Sequence, residues 1–295
     1  MNNTSKTLVF FGTEDFSLTA LTGLIEAGYT IAAVITKPDS KKGRGQKLVS
    51  PQVKRIAEQH NIPVWQPQRL SEIADDIRAL DNPVGVLVSY GKIIPQSVID
   101  LFTPGIINLH PSLLPTYRGP SPIESAIKHG DTLTGVSVML LSKDMDAGPV
   151  YAAKNYSLDG TETKPELYQA LAVTGTDLLL EVLPAILDGS LQPSPQDDTQ
   201  ATYSQLLQKS DAYLNLQQLS AINAERLVRA HLGFPKTKVV VEQHELIVTK
   251  AHVTEQKNTP LDLLCQDGMF LSIDELIAPS GRRMDSSAFL RGYIS

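Results

Sequence analysis

Asn108 and His110 stand two residues apart in the run Ile106-Ile107-Asn108-Leu109-His110, which Pro111 closes. The apolar members read as a buried parallel strand, and proline, with no N–H for a ladder, ends it. Side chains two apart on a strand face the same way, so an amide and an imidazole project together from the strand's carboxyl end. Ligands of open α/β sheets bind outside that end. An amide can hydrogen-bond a developing oxyanion, and an imidazole with an ordinary pKa of about 6.5 suits proton transfer near neutrality. Asp146 lies in a loop after another strand, beside Ala147-Gly148, where glycine permits close backbone approach. A carboxylate next to an imidazole favours the protonated ring and orients it. Converging, the three could run acyl transfer without a protein nucleophile. An Asn and a His satisfied by neighbouring backbone fit the same spacing, and a His/Asp metal pair uses the same residue types; spacing alone does not choose. No cysteine is near, and there is no G-x-S-x-G or H-E-x-x-H, so covalent and zinc chemistry have little support.

Those side chains need a sheet to hold them. Residues 7–11 read as an apolar strand, 16–25 as a helix stopped at Gly28, and 30–36 as a second strand, a βαβ opening. The first turn lacks G-x-G-x-x-G, so a dinucleotide fingerprint is absent. Periodicity predicts helices at 51–59, 71–80, 95–102, 122–129 and 164–187, and strands at 63–67, 84–88, 106–109, 135–141 and 150–153. Residues 189–201 are Pro/Ser/Gln-rich without periodicity, a linker signature. Beyond them come a helix at 219–232 and short strands at 237–241, 245–251, 261–264 and 269–273, with 275–278 after. The expected fold class is α/β: a Rossmann-like, mostly parallel sheet with helices on both faces over 1–189, a linker at 190–206, and a smaller C-terminal β-barrel, OB-like domain over 207–295.

Composition agrees with a soluble chain of about two domains, 295 residues at 42% hydrophobic. The single cysteine, Cys265, allows no internal disulfide, suits a reducing compartment and reads as a buried small apolar residue. The N-terminus lacks signal-peptide regions and no apolar run approaches membrane-spanning length. A net charge of −6 argues against a surface-wide nucleic-acid footprint. Locally the balance reverses. Between 37 and 55 stand Lys37, Lys41, Lys42, Arg44, Lys47, Lys54 and Arg55 against only Asp39, with Gly43 and Gly45 flanking Arg44. Arginine in a flexible, exposed loop suits phosphate; a solvated charged loop has the same composition. His60, His129, His244 and His252 read as surface or core histidines, and Trp65 as packing.

Several motifs now carry a resemblance. Asn108-Leu-His-Pro-Ser-Leu-Leu-Pro115, Tyr117-Arg-Gly119, Pro122-Ile123 and Asp146-Ala-Gly148 resemble the formyltransferase family that uses 10-formyltetrahydrofolate. Phe11 to Phe16, Gly43 to Leu48 and Ser89-Tyr-Gly91 are similar to the branch whose acceptor is initiator methionyl-tRNA, and the likeness extends to Gly281–Met284 and Phe289–Tyr293. Glu14, Pro120-Ser121 and a tryptophan-free 232–235 depart from the family's usual pattern. The resemblance implies transfer of a formyl group from folate to the methionyl α-amino group, for translation initiation. It implies catalytic roles for Asn108, His110 and Asp146. It implies folate contacts at Ser112, Leu113, Leu114, Pro115, Tyr90 and Gly91, and tRNA contacts at Arg44, Lys42 and Lys47. A cytoplasmic monomer without metal or membrane is the remaining expectation. A formyltransferase acting on a nucleotide sugar or ribonucleotide amine, a formylfolate hydrolase and a non-catalytic RNA-binding module are the alternatives.

Overall fold

Five of the apolar runs assemble side by side as parallel strands, and that sheet is the platform for the loops at its carboxyl edge. The structure is a computed structural model that describes residues 6–42 and 45–294, apart from the side chain of Lys42. Arg44 lies outside the described residues. The chain divides into two compact units: one takes the N-terminal part through Gly119 with Thr134–Tyr156 and Tyr168–Tyr203, the other takes Pro120–Leu133, Ser157–Leu167 and the residues from Ser204 onward.

In chain order the first half runs β1 (Leu8–Gly12), α1 (Phe16–Glu26), β2 (Ile31–Ile35), β3 (Ser40–Lys42), β4 (Lys47–Val49), α2 (Gln52–Gln59) and β5 (Val64–Trp65). It continues with α3 (Ala74–Arg78), β6 (Val84–Val88), α4 (Gln96–Ile99), β7 (Ile106–His110), α5 (Pro122–His129), β8 (Leu133–Leu140), β9 (Val150–Ser157) and α6 (Lys164–Leu187). The seven-stranded sheet has the order β5-β2-β1-β6-β7-β8-β9. β8 runs antiparallel to β7, pairing Asn108 with Met139 and His110 with Ser137. Every residue of β1 and β7 is buried, as strands covered on both faces should be. Phe11 meets Tyr90 and Phe102 edge to face, each at 5.7 Å, in one core cluster with Trp65 packed at its margin.

α6 fixes which way β7 faces. Gly175 sits against Leu109: a Cβ there would come within 2.9 Å of both Leu109 δ carbons. Leu109 therefore points toward the helix, and alternation turns Asn108 and His110 to the opposite face. By length and composition α6 is apolar enough to cross a membrane, which corrects the reading that no run approaches that length. Half of its apolar window is buried, including Leu171, Leu178, Leu179, Leu183 and Ile186, the pattern of a core helix.

Several elements differ from their sequence expectation. Residues 71–80 form a 3-10 turn, Leu70–Ile73, followed by the short α3, because the Glu72 carboxylate reaches back to the Gln68 and Arg69 amides and tightens the first turn. The helix expected over 95–102 keeps one α-helical turn and then closes with the Leu101 and Phe102 amides bonding to Val98 and Ile99. The basic segment, read as a loop, folds as the β3–β4 hairpin. Its base is anchored by Asp39, which accepts from Ser50 Oγ at 2.9 Å, Gln66 Nε2 at 2.7 Å and Lys54 Nζ at 3.0 Å.

The second unit holds α7 (Ala221–Ala230), β10 (Lys238–Val241), β11 (His244–Thr254), β12 (Asp262–Leu264), β13 (Phe270–Ile277), β14 (Arg283–Asp285) and α8 (Ser286–Tyr293). The strands form an antiparallel half-barrel sheet, β10-β11-β13-β12, with β14 also on β13. Its core gathers Val228, Leu246, Leu271, Leu276 and Phe289, and α5 packs against α7. Cys265 is buried there, as expected. The helix α8 was not anticipated; Asp285 caps it through the Ala288 amide at 2.7 Å.

Candidate active site

The three residues singled out by chemistry meet at the carboxyl end of β7. Asn108 and His110 are each 5% exposed, and Asp146 is half-buried. Asn108 Nδ2 approaches Asp146 Oδ1 at 3.5 Å, and His110 Nδ1 lies 3.7 Å from Asp146 Oδ2. The other ring nitrogen, Nε2, is 3.0 Å from the Tyr117 carbonyl. A carbonyl oxygen only accepts, so Nε2 carries a hydrogen, and Nδ1 is the nitrogen left facing Asp146. The carboxylate is fixed in turn by the Gly119 amide, which donates to Oδ2 at 2.8 Å.

Two local features deliver Asp146. Its backbone has φ 49°, the left-handed region, which costs a non-glycine residue about 1–3 kcal/mol and persists only where the surroundings impose it. Gly148 is buried so tightly that a Cβ would fall 1.9 Å from the Leu140 carbonyl oxygen. Gln196 imposes the turn: its Nε2 donates to the carbonyls of Asp146 at 2.8 Å and Gly148 at 2.6 Å. Its Oε1 accepts from Arg118 Nη2 at 2.8 Å and Nε at 3.1 Å. Arg118 is buried and also bonds Asp198 at 2.7 Å. The Pro/Ser/Gln-rich segment is thus tied along this unit: Ser194 exchanges two backbone bonds with Val150 at 2.8 Å, and the Arg118 amide donates to Thr202 at 2.9 Å. Sequence reasoning missed Gln196 and Arg118. The only signal was the Tyr117-Arg-Gly119 motif, which names Arg118 but not its partner.

The segment after β7 is held from below. Ser112 Oγ donates to the Thr116 carbonyl at 2.5 Å, Ser137 Oγ donates to the Ser112 carbonyl at 2.7 Å, and the Leu114 amide donates to Ser137 Oγ at 3.1 Å. Leu113, Leu114 and Pro115 remain half-buried, an apolar ledge beside the polar trio. Tyr90 and Gly91 follow β6, the parallel neighbour of β7, at the same sheet edge. The Tyr90 ring turns into the core, where burial pushes its hydroxyl up to about 12 and leaves it without a partner among the described residues. Gly91 is exposed with φ 69°, and a Cβ there would strike Lys37 Nζ. Lys47 is exposed on the basic hairpin. Among the described residues no group of three His, Cys, Asp or Glu side chains could hold a metal ion.

Residues 5–183 match the family described as Formyl transferase. The methionyl-tRNA formyltransferase of Pelobacter propionicus is 35% identical over 98% of this chain and 93% of its own length. That of Lactobacillus delbrueckii is 39% identical over 89% of this chain and 84% of its own length. Among solved structures, the N-formyltransferase from Helicobacter canadensis, in complex with folinic acid and dTDP-3-aminofucose, has a TM-score of 0.68. At 16% identity over 90% of this chain and 98% of its own, it shows the fold. Full-length identity at this level, with the matched motifs at the geometry described, leaves one conclusion: the chain belongs to the methionyl-tRNA formyltransferases of the formyl transferase family.

Proposed function

We propose that this chain transfers the formyl group of 10-formyltetrahydrofolate to the α-amino nitrogen of methionine esterified to initiator tRNA. The observation that carries the reading is the trio itself: Asn108 and His110 side by side at one sheet edge, 3.5 and 3.7 Å from the Asp146 carboxylate, in a chain whose relatives over nearly its whole length are methionyl-tRNA formyltransferases.

When bound, the folate supplies an activated formyl carbon. The half-buried ledge of Leu113, Leu114 and Pro115, with exposed Gly91 nearby at the same sheet edge, fits a ligand with a flat ring system, while Ser112 and Tyr90, whose side chains are buried, would meet it only through their backbone. The acceptor amine must first lose a proton, since a free α-amino group has a pKa of roughly 8. His110 Nδ1 takes it, because Nε2–H is committed to the Tyr117 carbonyl; the amine nitrogen bonds the formyl carbon, the bond from that carbon to folate N10 breaks, and N10 leaves with the proton that His110 returns. Asp146, 3.7 Å away, favours the ring once charged. Asn108 Nδ2, with a second amide hydrogen besides the one toward Asp146, donates to the formyl oxygen as negative charge gathers there.

For the tRNA we assign Arg44, Lys42 and Lys47, supported by the excess of cations between 37 and 55 and by the Asp39 anchor beneath the hairpin. The C-terminal half-barrel, residues 207–295 in the sequence reading, serves as the second tRNA contact. We take the enzyme to act as a cytoplasmic monomer without metal or membrane; one buried free cysteine suits the reducing compartment. Transfer of labelled formyl from 10-formyltetrahydrofolate to charged initiator tRNA tests the reading. Transfer to a nucleotide-linked amino sugar instead, or formate release without an acceptor, overturns it.

A further inference from the structure

We infer that Gln196 is a positioning residue that aims the Asp146 carboxylate by holding the backbone of the 146–148 turn, an inference that rests on the formyl-transfer reading above. The carboxamide is used in full. Its two N–H bonds go to the carbonyls of Asp146 and Gly148, and its oxygen takes two bonds from Arg118. The orientation is forced, because a flipped amide would set oxygen against two carbonyls and nitrogen against a guanidinium. Arg118 lies between Tyr117, whose carbonyl holds His110, and Gly119, whose amide holds the Asp146 carboxylate. Gln196 therefore closes a ring: Asp146 carboxylate to Gly119 amide, along the chain to Arg118, across to Gln196, and back to the Asp146 carbonyl. One side chain couples the loop that carries the acid to the loop that orients the imidazole. Gln196 touches no reacting atom in this arrangement. It acts through Asp146, whose left-handed backbone needs an external brace. Displacement of a catalytic group by about 1 Å costs on the order of 100-fold in rate.

Gln196→Met removes all four hydrogen bonds at similar volume. Expected is a kcat reduced about 10- to 100-fold, with KM for both substrates within about threefold. In an Asp146→Asn background the same change gives no further loss beyond about twofold, since residues acting through one group are not additive. Equal losses in both backgrounds, or a loss carried by KM, overturn the inference. Gln196→Glu, which keeps the acceptor for Arg118 but removes both donors, reproduces the kcat loss and stands in if the methionine variant does not fold. Amide hydrogen exchange gives a readout independent of turnover: the Gly119 amide, protected by Asp146, exchanges at least about tenfold faster in Gln196→Met while the β7 amides do not. Unchanged Gly119 protection overturns the inference. A wild-type chain that transfers no formyl group at all refutes the functional reading instead, and the exchange measurement then decides the role of Gln196 alone.

Discussion

His231 makes the second unit sensitive to acid. It follows α7 directly, is 4% exposed, and its Nδ1 has no partner among the described residues. A helix C-terminus ordinarily favours a cation, but burial dominates here and holds the imidazole down at about 4. Asp211 opposes that shift, while Lys128 and Lys164 reinforce it. The unfolded chain binds a proton near the ordinary pKa of 6.5 and the folded chain does not until about 4. Stability from this group is thus intact above pH 6.5 and is lost as pH falls through the interval to 4. At 1.36 kcal/mol per unit the full interval amounts to about 3 kcal/mol, and the step from pH 7 to pH 5 to about 2 kcal/mol. Urea unfolding of the wild type and of His231→Leu at those two pH values isolates the effect, since other titrations are common to both. The wild type should lose about 2 kcal/mol more than the variant. Equal losses, or an NMR titration of His231 near 6.5, would refute the reasoning.

Further outcomes follow from the site and its supports. Asn108→Ala lowers kcat on the order of 100-fold or more, as loss of one oxyanion donor does, with an unchanged far-ultraviolet circular dichroism spectrum. Gly148→Ala drives a Cβ into the Leu140 carbonyl, so both Tm and turnover fall; a variant with wild-type values would show that the turn tolerates displacement. Asp39→Ala frees Gln66, Lys54 and Ser50, whose hydrogen bonds hold the Asp39 carboxyl at about 2. It raises KM for charged tRNA several-fold and leaves KM for folate alone, and a folate effect would place the hairpin elsewhere in the cycle.

How much of this was legible depended on whether the signal was local. Asn108 and His110 could be placed on one face because a strand alternates with period two, and Pro111 marks where the strand ends. Asp146 could be singled out because Ala147-Gly148 beside it announces a tight turn, and Gly148 proves too close to Leu140 for any side chain. Cys265 and Trp65 fell where their chemistry suggested. The brace was not legible. Gln196 bonds to residues 48, 50 and 78 positions away, and no periodicity encodes contacts of that range; its surroundings of Pro, Ser and Gln read only as irregular chain. The β3–β4 hairpin escaped because alternation is masked where nearly every residue is polar. Ahead of α3, the Glu72 carboxylate, accepting from the Gln68 and Arg69 amides, overrode a helical pattern that was otherwise correct.

The central claim is that His110, held by the Tyr117 carbonyl and facing Asp146, removes the acceptor's proton. Single-turnover transfer of formyl to charged initiator tRNA by His110→Ala, with folate binding measured alongside, tests it most directly. Loss of about 100-fold or more in the transfer rate, with folate affinity within a few-fold of wild type, is the predicted result; transfer at near-wild-type rate would contradict it.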